Sequence, residues 1–263
     1  MAEGEEEMSL MKKLLILMVI SFLSLGVMGC MSESEKEELL GYLEEKYGGK
    51  YEVVKYWTEN DGTSKLYHQM LVHPEGEPEH LFKAGKFWDP TEKKDVLWDN
   101  FIEVKWSLDY TRKHKNEVTS LTSEEMDVQF IMNFPGEPHQ KYKNMSFEDY
   151  LRENRIEASE LSGVIGIAIK CEQEQNKQQK SELIYEIYKK IGEFNYKSFT
   201  IGVVFVKSTK FEEAKKLLKM KQADSLVSLE ALGGESYQDI VYLYDIDTIN
   251  SPKDILDKFL TRE

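Results

Sequence analysis

Apolar positions along the 263-residue chain follow three patterns in turn. The first is an oily run from Leu14 to Gly29, preceded by Lys12 and Lys13 and interrupted only by Ser21 and Ser24. At about 1.5 Å per residue it makes roughly 24 Å of helix, short of the roughly 30 Å hydrocarbon core that a permanent span crosses. A cationic start, a greasy middle and a small residue at the end outline a secretion signal. The second pattern mixes helical and strand periods. Leu39, Leu40, Leu43 and Tyr47 recur at helical spacing behind a Ser34/Glu37 capping box, and Gly48-Gly49 ends them. "YEVVKYW", "KLYHQMLVH" and "HLFKAGKFW" read as strands, the last two joined by the turn "PEGEPE". "VLWDNFIEVKWSLDYTRKH" reads as one amphipathic helix carrying Leu97, Trp98, Phe101, Ile102 and Leu108, and "VQFIMNF" as a further strand.

The third pattern alternates strand and helix. Pro135 to Asn144 is loop-like, with two prolines and a glycine, and is the expected boundary between two domains. Beyond it Ser146 and Asp149 cap a short helix, and "GVIGIAI" is a strand. A helix near 179–191 follows with Ile184, Ile187, Tyr188 and Ile191 on one face, ended by Gly192. "FTIGVVFV" is apolar on nearly both faces, as a strand covered on each side must be. Thr209 and Glu212 cap "FEEAKKLLKM", "SLVSLEAL" and "DIVYLYDI" read as strands, and Ser251-Pro252 opens a last helix. The expected fold is α+β. An N-terminal helix with antiparallel strands and a long helix occupies 35–134, and a smaller α/β sandwich with a strand–helix–strand rhythm, implying a right-handed crossover, occupies 146–263.

The seam between the oily run and the soluble body carries "GVMGCMSESEKEE". "VMGC" resembles the lipobox of bacterial lipoproteins, with aliphatic Val27 three before the cysteine and Gly29 immediately before it; Met28 is bulkier than the residue usual there. The resemblance implies a diacylglyceryl thioether on Cys30, cleavage between Gly29 and Cys30, and a signal peptide spanning 1–29. Two acyl chains suffice for stable anchoring, at roughly 0.8 kcal/mol per buried methylene. Residues 30–34 then form a short lipid-anchored linker. The acidic "MAEGEEE" fits a signal peptide badly, so the expected start of the natural chain lies near Met11. "YLEEKYGGKYEVV", "HPEGEPEHLF" and "LWDNFIEVKW" resemble uncharacterised lipoproteins of Gram-positive bacteria. That likeness implies an extracytoplasmic protein on the outer face of the cell membrane and supplies no catalytic residues.

Charge and chemistry narrow the function further. A formal net charge of −14 is a poor match for nucleic acid, which needs clustered Lys and Arg. It is also repelled by anionic lipid within about 8 Å at physiological salt, so "SESEKEE" suits a body held just clear of the headgroups. With Cys30 acylated only Cys171 remains, and its place on one strand face with Ile165, Ile167 and Ile169 makes it a core thiol. In "HPEGEPEH", His73 and His80 become opposing residues if the turn joins antiparallel strands, and with a neighbouring Glu they suit Zn²⁺ or Cu²⁺. Turns collect such residues anyway, so a polar hairpin tip is the preferred reading. Asp245 and Asp247 follow a strand, a place that suits Mg²⁺ or Ca²⁺, but no third ligand stands at a diagnostic spacing, and a turn before a helix is the preferred reading. Trp88, Trp98 and Trp106, with Phe82, Phe87, Phe101 and Tyr110, form either a groove or a core, and core is preferred.

No G-x-S-x-G, S-x-x-K, H-E-x-x-H, P-loop or G-x-G-x-x-G pattern occurs. The reading therefore favours a non-enzymatic binding module that needs no cofactor, held at the membrane by its lipid, with an envelope protein as partner and no nucleic acid. The alternatives are a substrate-binding lipoprotein of a transporter, or a metal-dependent hydrolase built on His73 and His80 or on Asp245 and Asp247.

Overall fold

A computed structural model describes residues 33–60, 66–134, 140–171, 176–223, 237–244 and 249–259. The oily run, Gly29, Cys30, the strand expected in "SLVSLEAL", Asp245 and Asp247 lie outside the described residues. The fold is α+β, with two four-stranded sheets. Helix α1 (Glu33–Tyr47) precedes an antiparallel sheet of β1 (Tyr51–Asn60), β2 (Leu66–Pro74), β3 (Phe82–Asp89) and β4 (Lys94–Asp99) in that spatial order. The chain continues through α2 (Phe101–Thr119), β5 (Met126–Asn133), α3 (Phe147–Asn154), β6 (Ser162–Cys171), α4 (Lys177–Gly192), β7 (Ser198–Lys207), α5 (Phe211–Ala223), β8 (Tyr237–Leu243) and α6 (Lys253–Leu256). The second sheet has the order β5-β6-β7-β8; only its central pair is parallel, joined by α4.

Local chemistry sets most of these limits as the sequence indicated. Gly48 and Gly49 take φ of 82° and 76°, a left-handed conformation that ends α1 without a Cβ clash. Ser146 Oγ accepts from the Asp149 backbone N–H at 3.1 Å and starts α3. Asn176 and Gln179, which the sequence reading did not single out, form a reciprocal capping box that starts α4 at Lys177, two residues before the expected position.

The segment expected to be one helix from Val96 instead divides. Lys94–Asp99 is strand β4, in which Val96 pairs with Phe87 and Trp98 with Gly85. The Asp99 carboxylate then accepts the Phe101 N–H at 3.0 Å, so the strand ends and α2 begins within two residues.

The sheet division also falls elsewhere than the boundary expected between 35–134 and 146–263. β5, on the N-terminal side of 135–144, pairs along its whole length with β6 on the other side, from Met126↔Ile169 to Asn133↔Ser162. Helix α2 joins the two halves. Val104 and Leu108 face the first core, with Leu39, Leu43, Met70, Val72, Phe82 and Ala84. Ile102, Trp106 and Tyr110 face the second, with β5, β6, β7 and the α4 residues Ile184, Ile187 and Ile191. Phe211, Ala214 and Leu218 of α5 cover the opposite face of the second sheet. Gly166 makes that approach possible, because a Cβ there would meet Leu218 at 2.7 Å.

β5 is an edge strand, and α2 covers its outward edge. Phe130 N–H donates to Thr111 Oγ1 at 3.0 Å and Met132 N–H to Ser107 Oγ at 3.1 Å, all buried. Two hydroxyls one helical turn apart thus match two N–H groups two residues apart on the strand. Replacing both, Ser107→Ala with Thr111→Val, leaves two buried donors unpaired at about 1–3 kcal/mol each. Urea unfolding should show the pair of changes costing more than either alone; unchanged midpoints would remove this role.

Candidate functional site

A cavity of about 720 Å³ opens where α2, the start of α3 and the α4–β7 connection meet. Helical spacing brings Tyr110 and His114 of α2 to one wall. The Ser146 cap places Phe147 and Glu148 on the first turn of α3, with Leu151 a turn later. Phe194 and Tyr196 close the third side, flanking Asn195, whose φ of 57° turns the chain between them.

The interior is aromatic. The His114 ring lies 4.3 Å from Tyr110 and 4.4 Å from Phe194, tilted to both, and Tyr110 meets Tyr196 at 5.4 Å and Phe147 at 5.9 Å, both edge-on. The Tyr110 hydroxyl is buried with no hydrogen-bond partner among the described residues. His114 Nδ1 donates to Glu117 Oε1 at 3.0 Å, and Lys190 of α4 reaches the other Glu117 oxygen at 3.1 Å. Burial holds His114 below its ordinary pKa, against the opposing pull of Glu117. The hydrogen bonds from Lys190 and His114 hold the Glu117 carboxyl below its own ordinary value. Desolvation pushes the Tyr196 hydroxyl well above the usual tyrosine range. The rim is charged and paired: Asp109 with Arg112, Lys113 with Glu148, Glu193 with Lys190. Apolar walls, an imidazole whose charged form burial disfavours, and a polar rim are the features that ligand pockets share.

The sequence pointed elsewhere for chemistry. His73 and His80 are not brought together. Val72 faces Phe82 across β2 and β3, a count that sets His73 against position 81. Each ring is engaged by backbone, His73 Nδ1 with the Pro74 carbonyl at 2.8 Å and His80 Nε2 with the Phe101 carbonyl at 3.0 Å. His80 also packs 4.4 Å from Phe101, and burial lowers its pKa. Among the described residues no three His, Cys, Asp or Glu side chains are grouped to hold a metal ion. The aromatic segment separates by position. Phe82, Trp106 and Tyr110 are core, Trp98 lies over Gly85, and Trp88 is exposed. Cys171 is a core thiol, as its strand face indicates, and burial pushes its pKa up to about 11. His114, Phe147, Phe194 and Tyr196 were not legible as a group. The available signal was the Tyr110/His114 spacing, which any amphipathic helix produces.

A second built-in cluster holds the first half together. Asp99 accepts from the Tyr42 hydroxyl, the Tyr47 hydroxyl and Lys46 Nζ, each at 2.7 Å. Desolvation, then the adjacent Asp99 charge, raises Tyr42 and Tyr47 well above the usual tyrosine range and Tyr51 to about 12. The stability these hydroxyls contribute is complete below pH 10, where both states keep the proton. It is lost as pH rises towards 12 and beyond, because the unfolded chain ionises first. Urea midpoints should therefore hold from pH 8 to 9.5 and fall by pH 11.5; a flat profile would contradict the cluster.

No family model matches the chain, and no curated protein matches it. Its fold is similar to the crystal structure of a DUF5037 family protein from Ruminococcus gnavus ATCC 29149, with a TM-score of 0.50 and 15% identity over 84% of this chain and 98% of that one. At that identity the likeness is one of fold alone. Among the described residues no helix is long and apolar enough to cross a membrane.

Proposed function

We propose that the chain is a lipid-anchored, extracytoplasmic binding module whose contact site is the aromatic cavity between α2, α3 and the α4–β7 connection. The cavity carries the reading: it has the size and composition of a small-molecule or side-chain pocket, and the charged groups of its rim are paired. The sequence Val27-Met28-Gly29-Cys30 supports the anchor, and the cell envelope is where such a module would meet its partner. The two halves are unlike sheets sharing a helix, which favours this over a transporter's pair of comparable lobes around a cleft.

Two measurements test it. Labelled palmitate should enter the chain in cells and fail to enter Cys30→Ser. A photo-crosslinking residue at Glu148 should give a discrete adduct in intact cells, which Leu151→Trp abolishes by filling the cavity while the melting profile is preserved. Absence of label in the parent chain removes the anchor, and an adduct indifferent to Leu151→Trp removes the site.

A further inference from the structure

Helices α1 and α2 pack on one face of the first sheet, against Met70, Val72, Phe82, Ala84 and Leu97. Residues directly opposite across antiparallel strands share a face, so the pairing also defines the other side. Trp57, Gln69, Gly85 and Trp98 form one row there from β1 to β4, and Glu59, Tyr67, Phe87 and Val96 form the next. None of these apolar residues belongs to a core cluster among the described residues, and Trp57, Tyr67, Phe87, Val96 and Trp98 are each partly exposed. Gly85 keeps the middle of the face low. A Cβ there would meet the Trp98 indole at 2.8 Å, so that ring lies over β3. Trp57 stands towards the opposite edge, its indole flanked by Lys55 Nζ at 5.3 Å and Lys83 Nζ at 5.6 Å. Between the two tryptophans Gln69 Nε2 donates to Glu59 Oε2 at 2.9 Å.

We propose that this face binds an uncharged glycan chain, with pyranose rings laid along the row from Trp57 to Trp98. Charge argues against other occupants. The strand residues on this side carry the lysines Lys55, Lys83 and Lys94 against the carboxylates Glu52, Glu59 and Asp89, so an anionic polymer gains no net attraction. Protein interfaces exclude charge from their centres, whereas here Lys55, Lys83 and Glu59 adjoin the rings. A pyranose suits that mixture. Its C–H groups form an apolar face that stacks on an aromatic ring, and its hydroxyls point outward to amide, ammonium and carboxylate groups. The row has the length for several sugars, because three strand spacings of about 4.8 Å set β1 roughly 14 Å from β4. The site is separate from the aromatic cavity and requires neither that cavity nor the lipid anchor.

Calorimetric titration of the full chain with cellohexaose and chitohexaose, flat β-linked pyranose chains without and with acetamido groups, tests this. Saturable binding of at least one is expected. Trp57→Ala and Trp57→Leu should each weaken it about tenfold, the second keeping an apolar side chain at that position for folding. Trp57→Phe should retain most of the affinity, because a ring remains to stack. Trp88→Phe, on the opposite face, and the cavity-filling Leu151→Trp should bind as the parent does, which keeps this result distinct from the crosslinking test of the cavity. Absence of saturable binding by the parent chain, or undiminished binding in Trp57→Leu, overturns the proposal. A concentration-dependent dimer that Trp57→Leu abolishes would overturn it too, by giving the face to a second copy of the chain.

Discussion

Asp99→Ala will lower folding stability by about 3–5 kcal/mol, the range for breaking a buried charge pair by removing one partner. The carboxylate is 1% exposed and accepts four hydrogen bonds, from Tyr42, Lys46, Tyr47 and the Phe101 N–H. Those donors belong to the last turns of α1 and the first residue of α2, so one side chain fixes both helices to the end of β4. Lys46→Met should cost less, because the Lys46 side chain is a quarter exposed and water replaces part of what is lost. Asp99→Asn should fall between the two, keeping an acceptor for Phe101 while losing the charge that Lys46 meets. Urea unfolding of the three variants gives the order directly. Equal losses for Asp99→Ala and Lys46→Met would show that the pair, not the four-donor cluster, carries the effect.

Trp106→Ala should cost about 3–5 kcal/mol, as for other fully buried aromatic truncations. The indole is 0% exposed and packs 4.2 Å from Tyr150, with Phe134, Tyr142 and Phe147 around it. Its Nε1–H donates to the Met145 carbonyl at 2.9 Å, immediately before the Ser146 cap. Trp106→Phe keeps most of the ring contact but leaves that carbonyl unpaired, and about 2 kcal/mol is expected. Both variants loosen α3, whose Phe147 is a wall of the cavity, so crosslinking at Glu148 should fall in each, including where the chain remains folded. Full crosslinking in Trp106→Phe would separate the cavity from the packing beneath it.

Periodicity revealed elements wherever one face was buried against something regular. The α1 stripe of Leu39 and Leu43, the alternation in β6 and the two-sided apolar β7 all depend on burial that repeats along the element. β4 was hidden because Val96, Leu97 and Trp98 join without a break to the apolar positions of α2, and the separating signal is a single Asp99 hydrogen bond. The partnership of β5 was hidden for a different reason. Its pairing strand begins 29 residues after β5 ends, and α2 satisfies the other edge through Ser107 and Thr111, residues that ordinarily mark a helix surface. The proposed histidine pair failed by one residue of register, which in a sheet turns a side chain to the opposite face. The cavity was hidden because its walls come from three elements, each carrying only two or three of the lining residues.

The exchange of β5 across the chain has a practical corollary for proteolysis. A single cut anywhere between Phe134 and Gln140 would produce a front piece whose final strand is still hydrogen-bonded to the back piece, with α2 wedged against both. The nicked molecule should run as two bands under denaturing conditions and elute as one particle in their absence.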